Sequence, residues 1–336
     1  MSGVQTFLSF VIVFGLLVIS HEFGHFILAR LNGVRVHEFS IGMGPQLFAK
    51  ESGLTKYTVR ALPLGGYVQL QGENEASDDP DSFSMKKPWQ RFSILVAGSL
   101  MNFLLAVILF FAVYMMVGFP INVVKEVLPG YPAAQAGILP GDEVVRVDGR
   151  PVDSWETLTE AVPSDPNKRF QVVVIRQGET LTLEMGTQAA EGGRRIIGIL
   201  HETRMSVPLS AVNAVKTTGN VTFGIVDFLG QLVKGQASGD GVVGPVGMVG
   251  IVGEASRSGL ADLMGVAAMI SVNLGIFNLL PFPALDGGRL LFVLYEMIFR
   301  KPFNRDWEQQ MHYFGFMILL ALMAFMVFKD LKLLPW

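Results

Sequence analysis

The chain has 336 residues, half of them hydrophobic and only 16% charged, and its mean hydropathy is +0.43. That composition excludes an ordinary soluble domain and predicts an integral membrane protein. A formal net charge of -3, spread along the chain, gives no basis for a nucleic-acid partner, and the lack of cysteine excludes disulfides, thiolate metal sites and a cysteine nucleophile.

The first segment, residues 1–31, runs uncharged from Met1 to Ser20 and lacks the basic start and small-residue cleavage site of a signal peptide. It predicts a retained transmembrane helix. At its far end stand Ser20-His21-Glu22-Phe23-Gly24-His25. On a helix His21 and His25 lie one turn apart on a shared face, where two neutral imidazoles can hold a zinc ion. Glu22 lies one residue round, close enough to take a proton from a water that zinc has acidified. Two helix-end histidines that only cap carbonyls or sit at headgroup level are the plainer alternative, but ionisable groups at membrane depth are usually functional.

Residues 32–92 alternate short β-prone runs, Val36 to Ile41, Lys56 to Leu62 and Tyr67 to Leu70, with glycine and proline turns. Gln71 to Asp81 is an acidic, polar loop without chemistry of its own. Residues 93–119 make a second span. From about Ile121 to Met185 the pattern becomes that of a soluble β domain, placed within residues 120–202: a helix near Ser154 to Ala161, a hairpin turning at Gln177-Gly178, and a last strand from Arg194 to Leu200. Val207 to Val233 reads as an amphipathic helix on the membrane face, and the glycine-rich Gly241 to Gly253 as too short and flexible to span, within an interfacial stretch 203–261.

A third span (262–288) ends in Asn278-Leu279-Leu280-Pro281-Phe282-Pro283-Ala284-Leu285-Asp286-Gly287-Gly288. The prolines break the helix and the glycines allow sharp turns, as expected of an irregular ligand-bearing segment lining a cavity at membrane depth. A loop (289–310), a fourth span (311–328) and a tail (329–336) complete the chain. Arg30, Arg35, Lys86, Lys87 and Arg91 in one loop, and Arg289, Arg300, Lys301 and Arg305 in the other, place both loops in the cytoplasm. Lys329 and Lys332 argue weakly the other way. Both termini and the β domain then face outside. Helices one and three reach His21, His25 and Asp286 near their cytoplasmic ends, so the three candidate ligands share a depth. His37, His201 and His312 have no ligand-spaced partner and read as surface or interfacial residues. Asn102, Asn273 and Asn278 suit interhelical hydrogen bonds.

The paired motifs His21-Glu22-Phe23-Gly24-His25 and Asn278 to Gly288 resemble the site-2 protease family of intramembrane zinc metalloproteases, in its bacterial branch that carries a PDZ domain. The likeness continues through Gly42-Met43-Gly44-Pro45, Pro63-Leu64-Gly65-Gly66-Tyr67, Lys87-Pro88-Trp89-Gln90-Arg91, Ala97-Gly98 and Asn102-Phe103. It implies a mainly α membrane protein with four transmembrane helices, a membrane-associated β-hairpin and an inserted PDZ-like domain in the bacterial inner membrane. It implies one Zn2+ per chain on His21, His25 and Asp286, with Glu22 as general base and Asn278 at the substrate backbone or developing oxyanion. The substrates implied are single-span membrane proteins, such as anti-sigma factors or signal-peptide remnants. A hairpin edge at Tyr57, Thr58, Val59 and Arg60 could take the unwound substrate by strand addition, and the PDZ groove either binds a peptide or C-terminus or serves as a spacer or filter. Many Gram-negative members carry two tandem PDZ domains, whereas this chain has room for one. Two other readings use the same residues: a zinc-binding transporter, which has no need of Glu22 as a base and usually shows repeats, and a catalytically silent PDZ scaffold.

Overall fold

The computed structural model describes residues 3–73, 77–165, 168–190, 195–236 and 243–333. Parts of the Gln71–Asp81 loop and of the Gly241–Gly253 stretch, together with Arg194 and the end of the tail, lie outside the described residues. The chain divides into two compact units, Met1–Val113 with Ala211–Trp336, and Tyr114–Ser210.

The first unit begins with α1 (Gly3–Leu31), whose apolar side chains point in every direction, as a membrane helix requires. Two long antiparallel strands follow, β1 (Val36–Ser52) and β2 (Thr55–Leu70), and then α2 (Pro88–Val117). Both strands fold over on themselves. The first part of β1 pairs with the end of β2 (Phe39 with Val68, Ser40 with Tyr67, Ile41 with Gly66) and also with its start (Phe39 with Tyr57, Ser40 with Thr58, Ile41 with Val59). The last part of β1 pairs with the start of β2 again, Phe48 with Val59 and Lys50 with Tyr57. The hairpin is therefore four strand segments wide, with Tyr57–Val59 inside it and Gly66–Leu70 along one margin. Phe26, Val36, Phe39, Leu70, Phe83, Ile94 and Leu95 bury its inner face against α1 and α2.

The second unit contains β3 (Phe119–Val127), α3 (Pro132–Gln135), β4 (Glu143–Val147), β5 (Arg150–Pro151), α4 (Trp155–Ala161), β6 (Phe170–Arg176), β7 (Glu179–Met185), β8 (Gln188–Ala189), β9 (Arg195–Ile196) and β10 (Ile199–Arg204). The main sheet runs β10-β3-β4-β6-β7, and the β6–β7 turn falls at Gln177 and Gly178, where the sequence expects it. Alternate residues Phe170, Val172 and Val174 enter the core beside Val144, Val147 and Leu158. Ser154 and Thr157 form a capping box that starts α4. Asp142, fully buried, takes two hydrogen bonds from Arg176 at 2.7 Å and one from the Leu139 N–H. Burial alone would raise the pKa of Asp142; the Arg176 guanidinium and the amide outweigh it and hold the carboxyl below its ordinary range.

The chain then forms α5 (Val207–Val233), α6 (Pro245–Ser258), α7 (Leu260–Leu279), α8 (Asp286–Phe299) and α9 (Arg305–Leu333). Two expectations need correction. The stretch read as flexible up to Gly253 is helical from Pro245, because its small residues let α6 lie close to α1: Ser256 hydrogen-bonds Ser9 at 2.7 Å, and a Cβ on Gly253 would overlap Thr6. Much of the supposed loop 289–310 is the amphipathic helix α8, its first turn carrying the carboxylate that ended the third span. Among the described residues, four helices are long and apolar enough to cross a membrane: Gly3–Leu31, Pro88–Val117, Leu260–Leu279 and Asp306–Leu331.

Candidate metal centre

Three helices meet around glycines. α1 crosses α2 where a Cβ on Gly24 would overlap the Ala97 carbonyl, and α7 meets α2 where a Cβ on Gly275 would stand 3.2 Å from the Ser99 carbonyl. Such close approach lets backbones pack in a bilayer, where water gives no hydrophobic drive. Between Leu280 and Leu285 the chain leaves the helix, as Pro281 and Pro283 require, and re-enters one at Asp286. Gly288 is needed there, since a Cβ would stand 2.9 Å from the Phe282 carbonyl carbon.

The result brings His21, His25 and Asp286 together. His21 Nε2 lies 3.2 Å from His25 Nε2 and 3.1 Å from Asp286 Oδ2, and His25 Nε2 lies 3.2 Å from the same oxygen. Their side chains are only 10%, 12% and 22% exposed. Nitrogen and oxygen ligands about 2.0–2.2 Å from a tetrahedral zinc stand roughly 3.2–3.5 Å from one another, so this near-equilateral triangle has close to the dimensions of one face of such a site. Asp286 Oδ2 has no hydrogen-bond donor among the described residues, and a Cβ on Gly98 would stand 2.8 Å from His21 Nε2 and closer still to His25 Nε2. An orphaned oxygen beside a space that any side chain at position 98 would fill fits a metal ion.

The imidazoles are aimed from behind. His25 Nδ1 lies 2.8 Å from the Ile94 carbonyl, which fixes the proton on Nδ1 and turns Nε2 toward the centre. His21 Nδ1 lies 3.3 Å from the Asn102 amide and 3.4 Å from that of Asn278. A zinc-binding Nε2 requires a proton on Nδ1, and Asn102, wholly buried with an unpartnered Oδ1, can accept it by turning its amide. Ser271 on α7 donates to the Asn102 carbonyl at 2.8 Å and so couples the three helices. Glu22 sits beside the triangle on α1, facing Gly66 of β2, where a Cβ would lie 3.4 Å from Glu22 Cγ.

The hairpin residues expected at an edge lie elsewhere. Tyr57, Thr58 and Val59 have paired strand on both sides. Tyr57 packs on Phe26 and Phe39, and Thr58 donates to Glu38 at 2.6 Å. Arg60 is spent on Glu38, Ser40, Gly44 and Tyr67. Burial would raise the pKa of Glu38, but Thr58 and Arg60 hold it below its usual range. These four residues build the hairpin; the segment nearest Glu22 with strand on one side alone, among the described residues, is Gly66–Leu70. Alternation marked the strands but not which segment lies outermost.

Of the remaining histidines, His37 is exposed and His201 packs at a tilt against Trp155, 4.9 Å between ring centroids. His312 departs from the surface reading, because its Nδ1 accepts the Ala284 N–H at 2.9 Å. In the second unit, Leu128, Trp155, Leu158, Val162 and Ile197–Leu200 line a largely apolar groove of about 290 Å³ beside α4.

Residues 9–322 match the model of peptidase family M50. The chain is 36% identical to a protein of Clostridium perfringens named "Putative zinc metalloprotease CPE1693", over 95% of this chain and 96% of that one. It is 30% identical to zinc metalloprotease RasP of Bacillus licheniformis, over 98% and 99% of the two chains. A solved PDZ domain of the SdrC-like protein from Listeria monocytogenes is similar at 20% identity over 25% of this chain and 87% of that one, with a TM-score of 0.21. By the extent of these matches, the chain belongs to peptidase family M50, the site-2 protease family of membrane metalloproteases.

Proposed function

We propose that the protein is an intramembrane zinc endopeptidase that hydrolyses peptide bonds in or beside the transmembrane helix of single-span membrane proteins. The observation that carries this reading is the triangle of His21, His25 and Asp286 with Glu22 beside it. One zinc ion per chain held there supplies Lewis acidity at the scissile carbonyl and lowers the pKa of water. Glu22 takes the proton of the attacking water and returns it to the leaving amine. Asn278, one helix away and within reach of His21, donates its amide to the substrate backbone or the developing oxyanion. A substrate helix must unwind before it can be cut, and Gly66–Leu70 offers the strand on which an extended segment can pair beside Glu22.

The inserted unit is PDZ-like and takes an extended peptide or C-terminus in the groove beside α4. The chain lies in the bacterial inner membrane, with its basic loops cytoplasmic and its termini and PDZ-like unit outside. The test is cleavage of a single-span substrate by purified protein in detergent, for wild type, Glu22→Gln and metal-stripped enzyme. Glu22→Gln should retain one zinc per chain and lose at least about a thousandfold in rate, within the range of general acid–base contributions. Stripped enzyme should recover with added zinc. A wild type that binds zinc and cuts none of several unwound substrates refutes the reading.

A further inference from the structure

The loop that carries Asp286 is poor in hydrogen-bond donors, since Pro281 and Pro283 have no N–H. Of the three remaining amides between residues 281 and 285, Phe282 bonds back to Leu280 and Leu285 to Phe282. The third, Ala284, leaves the loop and donates to His312 Nδ1 on α9 at 2.9 Å. Ala284 also holds φ at +78°, a left-handed conformation that a residue with a Cβ rarely adopts and that persists only where the surroundings enforce it. α9 presses on the same loop one turn later, where a Cβ on Gly315 would lie 2.5 Å from Pro283 Cβ. An accepting Nδ1 means a neutral ring with its proton on Nε2.

We propose that His312 is a positioning residue of the metal centre: by holding the Ala284 amide it locks the left-handed turn that sets Asp286 at the third corner of the triangle. The inference rests on the zinc reading, but its effect on the loop does not need the metal. A fourth helix, otherwise mostly exposed, thereby contributes to the site without touching it.

The test uses full-length protein in detergent and two readouts: hydrogen exchange of the 280–288 segment in metal-free protein, and zinc affinity by chelator competition. His312→Leu removes the acceptor, His312→Asn keeps one where Nδ1 stood, and Ala284→Gly relaxes the turn. His312→Leu should speed exchange of the segment and weaken zinc by about three- to tenfold, the equivalent of one hydrogen bond. His312→Asn should behave as wild type, and Ala284→Gly combined with His312→Leu should recover zinc affinity, because glycine adopts the turn unaided. Unchanged exchange and affinity in His312→Leu, or no recovery in the double variant, would overturn the assignment. Should His312→Leu not fold, His312→Asn decides: wild-type values support the proposal and a loss in both readouts refutes it. Wild type that binds no zinc refutes the protease reading, while the exchange result still judges His312.

Discussion

Gly98→Ala tests the metal centre with a single carbon atom. The added Cβ would stand 2.7 Å from His21 Cε1 and 2.8 Å from His21 Nε2, and nearer to His25 Nε2. Carbon and nitrogen in ordinary contact need at least about 3.4 Å, so both imidazoles must retreat by more than half an ångström. Zinc sites tolerate about 0.2 Å in ligand distance, and the three donors now stand 3.1–3.2 Å apart. The metal site should fail before the fold does. In the middle of α2 alanine gains about 1 kcal/mol of helix propensity over glycine, against roughly 1–3 kcal/mol for overpacking, so the net change in stability is at most about 2 kcal/mol. The assay is zinc content by mass spectrometry after gel filtration, with cobalt(II) absorption as a geometric check and a melting curve on metal-free protein. We expect at least a hundredfold loss of zinc affinity and loss of cleavage, with the melt near wild type. A Gly98→Ala protein with one zinc per chain and wild-type affinity would refute the placement of the ion between these three side chains.

Asn102→Leu should weaken zinc about 10–100-fold, and Asn102→Asp, which keeps an acceptor for His21 Nδ1, should retain it; equal affinity in the two variants would show that Asn102 only packs. Arg176→Leu leaves the buried Asp142 carboxylate without its cation and should lower the midpoint of denaturant unfolding of the full chain. Since the folded-state pKa of Asp142 is lowered, its contribution is fully present above the ordinary carboxylate range near pH 4 and is lost as pH falls through the lower folded value; Asp142→Asn should flatten that acid limb, and an unchanged limb would refute the assignment. Prolines placed singly at Val68 and Gln69 test the strand margin beside Glu22: neighbouring amides point to opposite sides, so the one facing away from β1 should reduce cleavage about tenfold with zinc content unchanged, and no effect from either would sink strand addition there.

The spans, the histidine pair and the carboxylate were legible because each is a local signal: an uncharged run, a spacing of four on a helix, and prolines and glycines around an acid. The β strands of the second unit were legible for the same reason, since the alternation of Phe170, Val172 and Val174 and the Gln177-Gly178 turn lie within a few residues of one another. The hairpin was only half legible. Its strands show in the pattern, but Tyr57–Val59 is interior because β1 folds back across it, a long-range pairing that no local periodicity encodes. α6 was missed because its glycines, poor helix formers in isolation, are what let it approach α1 at Thr6.

Gly98, Asn102 and His312 share a different obscurity. Each acts through an atom on a distant element, at sequence separations of 77 from His21 to Gly98 (98 − 21), 81 from His21 to Asn102, and 28 from Ala284 to His312. In a membrane helix every face is apolar, so the sequence does not show which face meets a neighbour and which meets lipid. A glycine, an asparagine and a histidine in such helices are equally compatible with close packing, an interhelical bond or a headgroup. The candidate ligands announce themselves because a zinc site needs particular donor atoms at particular spacing. The residues that aim those donors need only present one carbonyl, one ring nitrogen or one absent methyl in the right place, and the packing of α1, α2, α7 and α9 decides that place. The candidate centre is thus a property of five helices, α8 with Asp286 among them, and a change on α9, which contributes no donor to the triangle, reaches it through the Ala284 amide and the packing of Gly315 on Pro283.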